Sequence, residues 1–186
     1  MEALVRYIFE AGMLKKVKRS GWWSEKVDDP ESVAEHTFRT AVIAFALARM
    51  EGLDAGAANR LCTAAVFHDM HETRLLDLNK ITARYITVDK ELEGRVEKEQ
   101  VQGMEPELQN AILGALALSG REAVVLKDAD YLECAIQAKE YADIGHKTEG
   151  WLDNIEKKVQ TESAKTMIAL LKKSDSKEWL KGLKRL

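Results

Sequence analysis

Leu61-Cys62-Thr63-Ala64-Ala65-Val66-Phe67-His68-Asp69 is the stretch on which the reading of this chain turns. Its small and apolar residues predict a buried helical segment, and it closes on two side chains that bind metals. Burying an imidazole and a carboxylate side by side is costly unless something pairs with them. A divalent cation suits both. Two neighbours cannot complete a site, so other segments must contribute. The sequence offers His36 upstream, in Glu35-His36, and Asp130 downstream, in Lys127-Asp128-Ala129-Asp130.

Helical geometry tests whether these groups converge. Val33, His36, Thr40, Ile43 and Leu47 recur every third or fourth residue, which predicts a core-facing stripe. Leu126, Asp130, Cys134, Gln137 and Tyr141 form another. If the helix continues through His68, Asp69 projects roughly 100° away and Glu72 roughly 40° away, so all three share one cavity. Taken singly, each has a plainer reading: His36 as a hydrogen-bonded core histidine, Asp130 as a bridging carboxylate, Glu72 as a helix-end acid. Inward polar residues on three helices, with an adjacent His-Asp among them, favour a metal-dependent hydrolase. His71 and His146 are read as solvated or supporting groups, outside the ligand set.

Helix periodicity runs through most of the chain, and convincing strand patterns are absent. Helices are predicted over Glu2–Leu14, Pro30–Met50, Asp54 onward through His68 and Asp69, Lys90–Gly103, Pro106–Leu118, Glu122–Ala142, Glu149–Lys172 and Lys177–Lys184. Asp29-Pro30 reads as an N-cap and first helical residue, and Gly120 as a C-terminal stop. Arg74–Val88 is less regular. The prediction is an all-α, single-domain bundle over 1–186, with a core at about 5–145 and amphipathic helices at about 149–186.

A chain of 186 residues can bury a proper core, and a net charge of -3 gives no global attraction to nucleic acid or acidic membranes. Lys15, Lys16, Lys18 and Arg19 form a local basic exception that can meet an anion or be a solvated turn. Cys62 and Cys134 read as buried free thiols in a reducing compartment. With no signal peptide or membrane span evident, a cytoplasmic location is expected.

The order His36, His68-Asp69, Asp130 resembles the H…HD…D signature of the HD-domain metal phosphohydrolases. Pro30-Glu31-Ser32-Val33-Ala34-Glu35-His36, Lys18-Arg19-Ser20-Gly21-Trp22, His68-Asp69-Met70-His71-Glu72 with Asp77, and Leu126-Lys127-Asp128-Ala129-Asp130 resemble segments of its 5′-deoxynucleotidase family. The resemblance implies hydrolysis of a 2′-deoxynucleoside 5′-monophosphate to deoxynucleoside and phosphate. It implies His36, His68, Asp69 and Asp130 as ligands to one divalent ion per subunit. Co²⁺ or Mn²⁺ is favoured, with Zn²⁺, Fe²⁺ and Mg²⁺ open. It also implies Glu72 in proton transfer, Asp77 as a further acidic site residue, Arg19 on the substrate phosphate and Trp22 near the sugar, where it disfavours a ribose 2′-hydroxyl.

The chain departs from the family at Leu76, where glycine is common, in the loop Leu78-Asn79-Lys80-Ile81, and at the added Trp23. Trp22 and Trp23 can equally serve packing. Relatives are commonly dimers, and Ala164-Met167-Ile168-Leu171 with Trp179-Leu180-Leu183 is amphipathic enough to pack on its own domain or across a two-fold. The competing readings are an HD-type hydrolase of nucleoside triphosphates or cyclic nucleotides, and a helical interaction module that binds metal only for structure. Nucleic-acid binding through the short basic patch is disfavoured.

Overall fold

A computed structural model describes residues 1–87 and 89–184. Among them the architecture is all-α, with nine α-helices and one isolated antiparallel bridge, Lys18 to Ser32. The helices are α1 (Glu2–Ala11), α2 (Val33–Met50), α3 (Ala55–Phe67), α4 (Glu72–Leu75), α5 (Lys90–Val101), α6 (Pro106–Leu116), α7 (Gly120–Asp143), α8 (Glu149–Glu156) and α9 (Glu162–Leu171). Val88, the last residue of the predicted irregular stretch, lies outside the described residues.

Helix α2 is the spine. Its start differs from the predicted Asp29-Pro30 cap. Ser32 is the N-cap, and it shares a capping box with Glu35: Glu35 N–H donates to Ser32 Oγ at 3.3 Å, and Ser32 N–H donates to Glu35 Oε2 at 2.6 Å. Two backbone bonds, Arg19 N–H to Glu31 O and Val33 N–H to Val17 O, hold the preceding segment against residues 17–19 and keep it out of the helix. Helix α3 opens as predicted on Asp54, whose side chain accepts from Ala57 N–H.

The main core lies between α2, α3, α7 and α9. Leu47, Leu61, Leu132 and Ile168 are all 0% exposed there. Each such side chain contributes about 1.5–3 kcal/mol through burial. Ala164 and Ile168 are in this core, so of the two readings open for the α9 segment, its own domain or a two-fold, the first holds. Trp179, Leu180 and Leu183 are exposed.

Three further boundaries differ from expectation. The 149–172 segment is two helices, because Asp128 of α7, completely buried, accepts backbone N–H bonds from Gln160 and Thr161 between them. Those residues turn away from helical pairing, and Thr161 restarts the chain as the N-cap of α9. Gly120, read as a stop for the preceding helix, begins α7 instead, and α6 ends at Leu116. The predicted Lys177–Lys184 helix is a single 3-10 turn, Glu178–Leu180, with no buried residue to anchor a longer one. No helix of the described residues is long and apolar enough to cross a membrane.

Candidate metal centre and its cavity

His68 and Asp69 do not sit on the helix, as the sequence predicted, but on the turn just past its end. His68 is the C-cap of α3, and Glu72 opens α4 after the turn. The turn is fixed by His68 itself. Its Nδ1 lies 2.7 Å from the Ala65 carbonyl, which only accepts, so Nδ1 carries the proton. The lone pair is left on Nε2, which lies 3.2 Å from Asp69 Oδ2.

His36 comes to the same place from α2 and is completely buried. Its Nδ1 is 2.5 Å from Glu133 Oε2, while Nε2 faces Asp130 Oδ1 at 3.3 Å and Asp69 Oδ2 at 3.6 Å. One ligand atom each from His36, His68 and Asp130 lies within 4.8 Å of the others. Helix α7 delivers Asp130 and, one turn on, Glu133. Arg39 of α2 clamps Glu133 through Nε at 2.9 Å and pairs with Glu140 at 2.8 Å.

The electrostatics ask for positive charge. Burial alone would raise Asp130, but the His36 hydrogen bond and the Lys127 ammonium hold it well below the usual carboxylate range. Burial and Arg19 both oppose a charged His36, yet Asp130 and Glu133 outweigh them and push it up to about 10. Glu72 is pushed up to about 9 by burial first, then by Asp69 and Asp77. His68 Nε2, Asp69 Oδ2 and Glu72 Oε2 are buried without a hydrogen-bond partner. Orphaned polar atoms of this kind are expensive unless an ion satisfies them. Two imidazole nitrogens and two carboxylates beside them are a donor set that a divalent cation fits.

Asp69, Glu72, Asp77, Asp130 and Arg19 line a cavity of about 300 Å³. Arg19 is the one member of the basic patch turned inward: its side chain is 16% exposed, 3.4 Å from Asp77 Oδ1 and 4.0 Å from Asp69 Oδ2. Lys18 instead pairs with exposed Asp29. Asp77 also accepts from Ser20 N–H at 3.0 Å, which ties the Arg19 loop to the segment after α4. His71 lies 3.6 Å from Glu97, and His146 packs against Tyr141.

Trp22 is in the cavity wall but only 1% exposed. Its ring lies between Tyr141 and Trp151, and its Nε1–H donates to buried Glu31 at 3.0 Å. Gly21 makes that packing feasible, since a Cβ there would meet the Trp151 ring at 3.2 Å. Trp23 is exposed. Cys62 and Cys134 are free and half-buried, less enclosed than expected. Arg19 approaches Cys134 Sγ at 3.5 Å.

Several groups here escaped the sequence reading. Glu133 had a signal: an acid three residues beyond Asp130 on an inward helical face. Trp151, which lines the cavity from α8, had none, because nothing local links it to Trp22.

Comparison with known proteins follows the same lines. The chain matches the HD domain family over residues 11–172. It is 34% identical over 152 residues to a Mus musculus protein named 5′-deoxynucleotidase HDDC2, covering 77% of this chain and 72% of that protein. A structural-genomics crystal structure superposes with a TM-score of 0.78 at 37% identity, covering 93% of this chain and 95% of that one. A cyanophage S-2L HD phosphohydrolase, bound to dA and one catalytic Zn²⁺ ion, shares the fold at 17% identity and a TM-score of 0.58, covering 89% and 96%.

Proposed function

Because the chain belongs to the HD domain family, we propose that it is a metal-dependent 5′-deoxynucleotidase, hydrolysing 2′-deoxynucleoside 5′-monophosphates to deoxynucleoside and phosphate. The observation that carries this is the convergence of His36, His68, Asp69 and Asp130 beside inward-turned Arg19 and Glu72, whose Oε2 is buried and unpartnered. The name of the mouse relative supports the substrate class. One divalent ion per subunit, Co²⁺ or Mn²⁺ by family preference, would be held by those four residues.

A cation bound there would supply Lewis-acid activation and neutralise charge at the phosphate. The chain's own groups do the rest. Arg19 presents a planar fork to the phosphate oxygens, a geometry lysine cannot match. Asp77 holds that guanidinium in place and contributes acidity to the substrate side. Glu72 positions the attacking water and takes its proton, or passes a proton to the departing 5′-oxygen. Glu133 fixes the His36 ring so that Nε2 faces the cavity. Trp22, locked between Tyr141 and Trp151, limits the space beside the sugar and disfavours a 2′-hydroxyl.

The chain acts as one domain, in keeping with a core shared by α2, α3, α7 and α9. It works in the cytoplasm, in keeping with two free cysteines. It pairs with a second copy of itself. With α9 committed to its own core, the exposed stripe Phe38, Val42 and Phe45 on α2 favours that face for the contact.

Phosphate release tests the function. Metal-stripped protein, resupplied with Co²⁺, Mn²⁺, Zn²⁺ or Mg²⁺, is assayed on deoxyribo- and ribonucleoside 5′-monophosphates and 5′-triphosphates. Metal-dependent release from deoxymonophosphates alone is expected. Silence across the monophosphates, or triphosphate as the product, refutes the reading.

A further inference from the structure

The cavity has two poles of different character. At the inner pole, cations and carboxylates are matched: Arg19 with Asp77, and Lys127 with Asp130 at 2.7 Å. At the mouth they are not. Lys80 and Lys158 line the opening, with the rings of Tyr131 and Trp151. Lys80 Nζ sits 5.1 Å from the centre of the Trp151 ring. Lys158 Nζ sits 5.3 Å from that of Tyr131, which Lys127 also approaches. These cation–π contacts gather the two exposed ammonium groups at the cavity mouth.

Among the described residues no carboxylate lies within 4.0 Å of Lys80 or Lys158. This is unlike the nearby surface, where Lys172 pairs with both Asp153 and Glu156. The mouth lysines also crowd one another: burial first, then Lys80 and Lys127, lower the Lys158 ammonium. Like charges gathered at a concave site without counter-charge are unfavourable on their own, and an anion among them reverses the sign. The scissile phosphate belongs at the other pole, beside Arg19 and the candidate ligands.

We propose that Lys80 and Lys158 form a second anion subsite at the cavity mouth, which takes a phosphoryl group of the bound nucleotide other than the one hydrolysed. The proposal rests on the nucleotidase reading of the cavity. The second phosphoryl group is carried on C3′, as in a nucleoside 3′,5′-bisphosphate, because a group on the 5′ chain would leave with the one hydrolysed. The ligand is then a nucleotide with more charge than a monophosphate.

Calorimetry on the metal-loaded Glu72→Gln protein, which retains nucleotide during titration, gives the dissociation constants of deoxyadenosine 5′-monophosphate, 5′-triphosphate and 3′,5′-bisphosphate. Phosphate release from the monophosphate by the parent chain is measured alongside. The bisphosphate is expected to bind about ten-fold tighter than the monophosphate or better, as charge-assisted bonds to two ammonium groups allow. Tighter binding of the triphosphate alone overturns the placement on C3′. Adding Lys80→Met and Lys158→Met brings that ratio close to one, and Lys80→Arg with Lys158→Arg keeps it. Equal affinities for all three ligands, or a ratio that survives the methionine changes, overturns the subsite while monophosphate hydrolysis by the parent upholds the nucleotidase. If the monophosphate is neither bound nor hydrolysed, the nucleotidase reading fails and the subsite falls with it.

Discussion

At the scale of single residues, the site depends on which atom of each side chain is already spoken for. His36 and His68 both spend Nδ1 on the protein, on Glu133 and on Ala65, and so present Nε2. Losing His68 or Asp69 to alanine is expected to abolish bound metal and activity together, read by metal analysis and phosphate release; an active, metal-replete variant refutes the ligand role. Glu133→Gln is the subtler change. It leaves all four candidate ligands in place, and metal affinity is expected to fall about 10- to 100-fold, as when a partner behind a ligating histidine is removed. Glu72→Gln is expected to keep its metal and lose about 10² to 10⁴ in kcat. A kcat near that of the parent removes Glu72 from the chemistry. Leu76 is a different case. It holds φ 64° and ψ 164°, a region left almost wholly to glycine, immediately before Asp77. Leu76→Gly is expected to stabilise the fold by about 1 kcal/mol, the strain relieved less the added freedom of the unfolded chain. Denaturant melting checks this, and a loss of stability contradicts the strain.

At the scale of elements, two carboxylates join helices that the sequence left unconnected. Glu10 of α1 accepts from Arg74, Thr73 and Gln100, and so fastens α1 and α5 under the turn that carries His68 and Asp69. Hydrogen bonding from Arg74 outweighs burial and lowers Glu10 to about 2 from 4.5. Because the folded value is depressed, the stabilisation is fully present above about pH 4.5 and lost as pH falls toward 2. Screening at the partly exposed Arg74 limits it to about 1 kcal/mol. Glu10→Gln is thus expected to be less stable than the parent at pH 7 and to converge with it near pH 2. A gap independent of pH refutes the linkage. Asp128→Asn weakens the join between α7 and the start of α9, with an expected cost of about 2 kcal/mol and a Tm lower by roughly 4–8 °C. Asp128 also shows where sequence reading stops. Caps and periodicity located the starts of α3, α5 and α6, because those signals are local. The break between α8 and α9 is made by a side chain 32 and 33 residues away in sequence, and no local pattern carries it.

At the scale of the whole molecule, the candidate ligands were legible because metal-binding residues on inward faces violate the hydrophobic pattern that surrounds them. The cavity mouth was not, because Lys80, Tyr131, Trp151 and Lys158 look like ordinary surface or packing residues until the chain brings them together. The partner of α9 stayed open in the sequence for a related reason: an amphipathic helix does not say whether its apolar face meets its own domain or another, and here it meets its own. Light scattering is expected to report two chains per particle, and Phe38→Glu with Val42→Glu is expected to reduce that to one. A parent chain that is already single, or a variant that stays paired, excludes the α2 face. The pairing of His36 with Glu133, 97 residues apart in sequence, has a further consequence. A nascent chain emerging from the ribosome has His36, His68 and Asp69 well before it has Asp130 and Glu133. The proposed ligand set is therefore complete only once α7 has been made and docked. An ion held by that set would enter a nearly finished fold and hold it closed by mass action, as the last step of maturation rather than a template for the first.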